Sequence, residues 1–118
     1  MTFKFKDDNP DIYKRLIENI KIRERYPDRI PIICEKHPNS LLPNIGKNKF
    51  LVPSDTSFSQ FSLLIKKKLS LDGQSSLYLL VSGKHSILGK FELNDIYTKY
   101  KDKEDGFLYI YYTNAIIV

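Results

Sequence analysis

The sequence has one cysteine, no tryptophan and no long apolar run. A single cysteine, Cys34, excludes an intramolecular disulfide and most zinc sites, and it fits a reducing compartment. The first ten residues, MTFKFKDDNP, are charged and lack the apolar segment of a signal peptide. No window reaches the roughly 18 apolar residues that cross a bilayer. From these absences we expect a protein that is soluble as synthesised.

Motifs for catalysis and metal binding are also missing. The sequence has no phosphate-binding glycine loop and no G-x-S-x-G nucleophile turn. His37 and His85 fall in predicted loops, with no cysteine or carboxylate at ligand spacing. No carboxylates are paired for acid–base chemistry, and Cys34 has no neighbouring base, which favours core packing over a catalytic thiol. We therefore expect no enzyme activity, no catalytic residues, no metal site and no cofactor.

Length and charge leave several functions open. The 118 residues suit one compact domain, which the 15 aromatic residues and many aliphatic ones can fill. The formal net charge of +5 is compatible with nucleic acid, an anionic membrane, acidic peptides or simply a solvated surface. Acidic residues are scattered along the chain, so there is no basic arm of the nucleic-acid-binding kind.

The strand predicted at Lys49–Pro53 organises the rest of the chain. Alternation places Lys49, Leu51 and Pro53 on one face, and Phe50 and Val52 on the other. A proline at the end of a strand favours a sheet edge, where free N–H and C=O groups can accept another strand. We therefore predict a peptide-binding adaptor built around this strand.

The N-terminal part predicts helices followed by a β-branched strand. Residues 1–9 suit a short helix or turn, and residues 11–26 suit a helix with an unusually broad apolar arc. Ile22 lies at the margin of that arc beside Glu18, which fits either core packing or the rim of a groove. In the strand predicted over 30–35, Pro31 favours an edge, a bulge or a position without a partner donor. Alternation places Pro31 and Ile33 on one face of this strand, and Ile30, Ile32 and Cys34 on the other.

The remaining chain predicts a helix, a strand, a helix and a strand. A capping box opens the helix at Ser57, with Phe58, Phe61, Ile65 and Leu69 as its inward stripe. Residues 77–81 and 107–112 read as strands, and residues 92–100 as a short helix. Loops span 36–48, 82–86 and 101–106. This order, with its hairpin and crossover helix, predicts an α+β roll.

Several motifs in order make the chain resemble the autophagy-related ubiquitin-like modifiers, close to the GABARAP branch. The resemblance covers nearly the whole chain and is carried by KIR at 21–23, YPDRIPII at 26–33, EK at 35–36, KFLVPSD at 49–55, QF at 60–61, LI at 64–65, Tyr97 and EDGFLYI at 104–110. It implies an α+β ubiquitin-like β-grasp roll with two additional N-terminal helices. It also implies a single domain over 1–118, with a helical extension over about 1–26, a core over about 27–113 and a tail at 114–118.

The resemblance implies that motifs of cargo receptors and autophagy factors add as a strand beside the second strand, with main-chain bonds giving affinity and two pockets giving specificity. The pocket for an aromatic residue is formed by Glu18, Ile22, Pro31, Ile33, Lys49, Leu51 and Phe107. The pocket for an aliphatic residue is formed by Phe50, Val52, Pro53, Phe61 and Leu64. Thr56 stands where the family usually has an apolar residue, which predicts a shallower or more polar second pocket. A basic rim attracts acidic residues that precede the aromatic one; it is formed by Arg29, Lys47 and Lys68, together with Lys49.

Membrane attachment is the second implied half of the function. Family members are joined to phosphatidylethanolamine through a C-terminal glycine by machinery of the ubiquitin-activating and conjugating type. Residues 114–118 contain no glycine. Either the glycine follows Val118 in the natural protein, or this member ends without one. The resemblance implies a cytoplasmic protein that is monomeric when unlipidated, has no nucleic-acid partner and moves to autophagosomal or other vesicle membranes when lipidated.

Two further points stay open at the sequence level. Residues 82–86 replace a family stretch with paired asparagines and prolines, so the resemblance does not extend to partners that recognise this loop. The alternative function is a ubiquitin-fold interaction module for vesicle trafficking or tethering that is not lipidated.

Overall fold

The computed structural model describes residues 2–115. Among these residues it contains four helices and four strands, in the order α1 Lys4–Asp8, α2 Ile12–Arg25, β1 Arg29–Lys36, β2 Lys49–Pro53, α3 Phe58–Lys68, β3 Tyr78–Val81, α4 Leu93–Tyr100 and β4 Leu108–Thr113. Within the described part, no helix has the length and apolar character needed to span a membrane. The predicted order of helices and strands is confirmed, and the short helix at the N-terminus is a helix rather than a turn.

The four strands form one mixed sheet in the order β2-β1-β4-β3. β1 pairs antiparallel with β2 and parallel with β4, while β3 pairs antiparallel with β4. β2 therefore lies at an edge, as its terminal proline predicted. β1 is central, so the edge alternative for Pro31 is wrong. Pairing with β4 begins only at Ile32, so the missing N–H of Pro31 falls before the parallel ladder starts.

The sheet separates two apolar clusters because alternate residues of each strand point to opposite faces. One cluster lies under α3 and α4 and is centred on Ile30, Ile32, Cys34, Phe61, Ile65, Leu93, Ile110 and Tyr112. The other lies on the α1 and α2 face and consists of Phe3, Phe5, Ile33, Leu80, Phe107, Tyr109 and Tyr111, with Ile22 packed against it. The alternation predicted for both β1 and β2 is therefore confirmed.

A capping box fixes the start of α3. The Ser57 hydroxyl accepts a hydrogen bond from the Gln60 N–H at 3.1 Å, and the Gln60 side chain accepts one from the Ser57 N–H at 2.9 Å. Phe58, Phe61, Ile65 and Leu69 are all buried beneath the helix, as predicted. The cap thus sets where α3 begins and which of its faces covers the sheet.

We expect Ser57→Ala to lower the free energy of unfolding by about 1 kcal/mol, because it leaves the Gln60 N–H without its side-chain acceptor. Urea denaturation followed by circular dichroism measures this. Ser62→Ala, in the middle of the same helix, is the matched control and should change stability by less than about 0.5 kcal/mol. Equal losses in the two variants would show that the cap does not stabilise α3.

Polar contacts attach the N-terminal helices to the sheet. The buried Glu35 carboxylate accepts hydrogen bonds from the N–H groups of Lys4 and Phe5, at 2.7 and 2.8 Å, and so caps α1 from the strand beneath it. The Lys6 ammonium lies 2.6 Å from Asp102. Burial would raise the pKa of Asp102, but the bond from Lys6 and backbone N–H donors hold that pKa below its usual value.

α2 is the element whose burial differs most from its apolar pattern. The side chains that it buries are Arg15 and Asn19. Several members of its apolar arc are exposed instead, namely Ile12, Tyr13, Ile17, Ile20 and Tyr26 at the helix end. Only part of the broad apolar arc faces the protein: Ile22 packs against the sheet cluster, while the buried positions of the helix are the polar Arg15 and Asn19.

Candidate peptide-binding edge

The outer edge of β2 has backbone groups directed away from β1. The Cys34 N–H donates to the Asn48 carbonyl at 2.8 Å, and the Ser54 N–H donates to the Asp28 carbonyl at 2.9 Å. In an antiparallel ladder these inward groups recur at every second residue. The backbone groups of Lys49 and Leu51 therefore face the open edge.

Pro53 closes this edge at one end. It has no N–H to offer, and its carbonyl accepts the Thr56 N–H at 3.0 Å. The edge available to another strand is thus the short stretch around Lys49 and Leu51. Its length matches a peptide of a few residues rather than an extended sheet.

Most residues predicted for the first pocket meet on the α1 and α2 face beside this edge. Ile33 and Phe107 are fully buried, and the half-buried Ile22 packs against the same cluster. The register places Pro31 opposite Leu51 and Ile33 opposite Lys49. The half-buried Leu51 lies on this face by strand alternation.

A charged pair spans the same region. The Lys49 ammonium forms an ion pair with Glu18, and both side chains are 36% exposed. The ammonium also lies 5.2 Å from the centre of the Phe5 ring. Lys49 and Glu18 therefore link β2 to α2, and a side chain entering between these elements meets them first.

Four of the five residues predicted for the second pocket gather on the opposite face of the sheet. Val52 and Phe61 are buried, while Phe50 and Leu64 are half-buried and pack against the same cluster. The rings of Phe50 and Phe61 meet edge to face, with their centres 6.1 Å apart. Pro53 is exposed, and strand alternation places it on the other face, so it contributes the end of the pocket rather than its wall.

The predicted basic residues surround β2 from several elements. Arg29 begins β1 opposite Pro53, and its Nη1 donates to the Leu51 carbonyl at 3.1 Å. Lys47 lies in the loop two residues before β2, and Lys68 lies in the last turn of α3. All three are exposed. Arg29 already occupies one edge-facing acceptor, which an incoming strand has to displace.

Sequence reasoning missed Phe5 as a neighbour of the first pocket. Its ring lies 5.4 Å from that of Phe107, edge to face, and beneath Lys49. The signal was the pair of aromatic residues at positions 3 and 5 in a charged segment. That signal does not reveal which part of the sheet they cover, because the contact joins residues far apart in sequence.

The other candidate sites take ordinary structural roles. His37 is buried, and its Nδ1 accepts the Asn39 N–H at 3.1 Å in a turn. Cys34 is fully buried, and burial raises the pKa of its thiol. Within residues 2–115, no three His, Cys, Asp or Glu side chains are grouped to hold a metal ion. The predicted turn at 82–86 is present, and the last three residues of the predicted tail lie outside the described residues.

Comparisons with known proteins give one consistent result. A family model described as "Autophagy protein Atg8 ubiquitin like" matches residues 14–117. The chain is 45% identical to autophagy-related protein 8e of Arabidopsis thaliana, over 92% of this chain and 87% of that protein. It is 41% identical to autophagy-related protein 8 of Scheffersomyces stipitis, over 96% and 79% of the two chains. The crystal structure of ATG8 from Trypanosoma brucei superposes with a TM-score of 0.88 at 39% identity, covering 96% and 95% of the two chains.

Proposed function

Because the chain belongs to the Atg8 family of ubiquitin-like autophagy proteins, we propose that it binds short aromatic-x-x-aliphatic motifs as an added strand on β2. The chain is a ubiquitin-like modifier of autophagy and has the predicted β-grasp fold with two additional N-terminal helices. The family consists of modifiers rather than enzymes. Placement in the GABARAP branch, the division at about residues 26 and 113, and the individual site residues stay predictions.

The observation that carries this proposal is the position of β2. It is an edge strand with outward backbone groups at Lys49 and Leu51, flanked by one apolar cluster on each face of the sheet. Residues i and i+3 of a strand point to opposite faces. The spacing aromatic-x-x-aliphatic therefore suits one pocket beside Ile33 and Phe107 and another beside Phe61.

Charge suggests the direction of the motif. Lys47 and Lys49 lie at the N-terminal end of β2, while Val52 and the exposed Pro53 lie at the other end. A motif with acidic residues before its aromatic residue brings them to the lysines if it runs parallel to β2. Exposed ion pairs of this kind speed association and favour this orientation more than they add affinity.

Attachment to membranes is the second part of the proposal. We place the unmodified protein in the cytoplasm, and the conjugated form on autophagosomal membranes, where machinery of the ubiquitin-activating and conjugating type joins a C-terminal glycine to phosphatidylethanolamine. Expression from the natural gene, followed by gel mobility and mass analysis of the membrane fraction, tests this part. An unmodified protein in starved cells would favour the alternative, a trafficking or tethering module without lipid.

Calorimetric titration with a synthetic peptide tests motif binding. The peptide carries three acidic residues followed by Trp-x-x-Leu, and its control exchanges the Trp and Leu positions. We expect micromolar binding of the first peptide and at least tenfold weaker binding of the second, because the two pockets differ in size and surroundings. Equal affinities, or no binding, would contradict strand addition with two distinct pockets.

Thr56 supplies a prediction about the second pocket. It follows the end of β2, and its backbone bridges Pro53 and Leu93. We expect Thr56→Leu to raise affinity for the Leu-ended peptide several-fold, because it replaces a hydroxyl with apolar surface. The same titration with a peptide ending in Ala is the control and should change little. An unchanged affinity for the Leu-ended peptide would show that Thr56 does not line the second pocket.

A further inference from the structure

The outward face of α2 is apolar, although the two side chains that the helix buries are polar. Arg15 and Asn19 are 4% and 5% exposed. Four residues on the other side form what we call the α2 ridge; their exposed fractions are 40% for Ile12, 76% for Tyr13, 50% for Ile17 and 46% for Ile20. Exposed large apolar groups on one helix face, with polar groups buried behind them, indicate a surface for interaction.

Basic residues border the α2 ridge. At 100° per residue, the ridge spans about 140° of the helix, and Lys14, Lys21 and Arg25 lie on the adjoining arc. All three are exposed, and none forms an ion pair with a carboxylate within residues 2–115.

The acidic groups of the region are few and partly engaged. Glu18 is paired with Lys49, and the Asp11 carboxylate accepts the N–H groups of Tyr13 and Lys14 as the helix cap. Glu24 is exposed at the C-terminal end of the ridge. The flank of the ridge is therefore predominantly positive, and an anionic occupant complements it.

We propose that the α2 ridge lies on the surface of anionic phospholipid bilayers. A second copy of the chain would present a face with the same predominantly positive flank, and the net charge of +5 would oppose that contact. The ridge is the convex side of a helix, which suits insertion into a planar interface. Isoleucine and tyrosine side chains enter the boundary of the headgroups, while the lysines reach the phosphates.

This inference goes beyond the proposed function and does not depend on it. The β2 edge and the α2 ridge use different residues, and the contact needs no covalent lipid. Binding through one helix face is weak, so it would orient a protein that is already near a membrane rather than anchor it alone.

Co-sedimentation of the full chain with vesicles tests the inference. Vesicles of phosphatidylcholine with phosphatidylserine should bind the protein, whereas vesicles of phosphatidylcholine alone should bind it far less, and added salt should weaken binding. Ile17→Gln with Ile20→Gln keeps the net charge and does not lower helix propensity, and it should reduce vesicle binding by about tenfold or more. Lys14→Gln with Lys21→Gln should reduce it roughly 25-fold, at about fivefold for each lysine.

The matched control is Leu41→Gln with Leu88→Gln, which removes two other exposed leucines, 88% and 65% exposed, at the same net charge. It should bind vesicles as the unchanged chain does, and circular dichroism should show that all variants are folded. Three results would overturn the inference. They are no binding to phosphatidylserine vesicles, an equal loss in the control, or a ridge variant that abolishes self-association in solution while leaving vesicle binding intact.

Discussion

Replacing Asp105 with asparagine should lower the free energy of unfolding by about 3–5 kcal/mol. Asp105 is fully buried, and its Oδ2 accepts hydrogen bonds from Arg15 Nε at 2.8 Å and from the Tyr109 hydroxyl at 2.5 Å. Its Oδ1 accepts the Phe107 N–H at 3.0 Å. Asparagine keeps the shape but not the charge, so Arg15 is left as an unpaired ion inside the protein. A domain of this size is typically stable by only 5–15 kcal/mol.

Neither Arg15 nor Tyr109 reduces the loss of stability in Asp105→Asn by changing its protonation. In the unchanged protein, burial alone would lower the pKa of Arg15, but the bond to Asp105 and nearby negative charge raise it. A guanidinium is not deprotonated in a folded protein, so Arg15 stays charged when Asp105 is replaced. Burial, followed by the bond to Asp105, raises the pKa of Tyr109 far above its usual value, so the phenol stays a donor. The penalty should therefore be present throughout the neutral pH range.

A double variant separates charge from packing. Arg15→Met with Asp105→Asn removes both charges, and it should be more stable than Asp105→Asn alone. Lys6→Met is the control for a pair that is partly exposed, with side-chain exposures of 28% and 16%, and should cost about 1 kcal/mol or less. Urea denaturation gives the free energy of unfolding of these three variants and of Arg15→Met alone. If the double variant lost as much stability as Arg15→Met and Asp105→Asn lose separately when added together, the unpaired buried ion would not explain the effect of Asp105→Asn.

Local patterns predicted most of the fold. Alternation over 30–35 and 49–53 gave the faces of β1 and β2, and the capping box gave the start of α3. Strand alternation and the capping box depend only on residues that are near one another in sequence, so long-range contacts do not change them. The candidate pocket residues came from the family resemblance, and the structure brings most of them to one sheet edge.

Contacts between distant residues could not be predicted in this way. An edge strand was one of the predictions for Pro31, because a residue without an N–H cannot donate to a neighbouring strand on one of its two sides. In the structure the strand is central, and its pairing with β4 begins one residue later, at Ile32. The exposure of Ile17 and Ile20 was also missed, because an apolar arc does not say which part of it meets the sheet. Arg15 and Asp105, 90 residues apart, decide that orientation.

Leu51→Ala should weaken binding of the Trp-x-x-Leu peptide by roughly thirtyfold, the size expected for a central contact at an interface. Leu51 is half-buried on β2, opposite Pro31, and faces the predicted aromatic pocket. Leu88→Ala, which removes a 65% exposed leucine from the loop before α4, is the matched control and should leave affinity unchanged. If both variants lost affinity equally, or if neither lost affinity, the peptide would bind elsewhere on the protein.

Methylating the peptide backbone tests the strand itself rather than the pockets. Only alternate residues of an added strand direct their N–H toward β2, where Lys49 and Leu51 present outward carbonyls. N-methylation at one of two adjacent peptide positions should therefore weaken binding at least about tenfold, while methylation at the other should have little effect. The tolerant position controls for the altered conformation of the free peptide. The Leu51 carbonyl already accepts a hydrogen bond from Arg29 Nη1. If the sensitive peptide N–H bonds to the Leu51 carbonyl, Arg29→Ala should increase the loss of affinity that methylation at that position causes. Equal effects of methylation at both positions would mean that the motif is held by its side chains alone, and that β2 only forms a wall of the site.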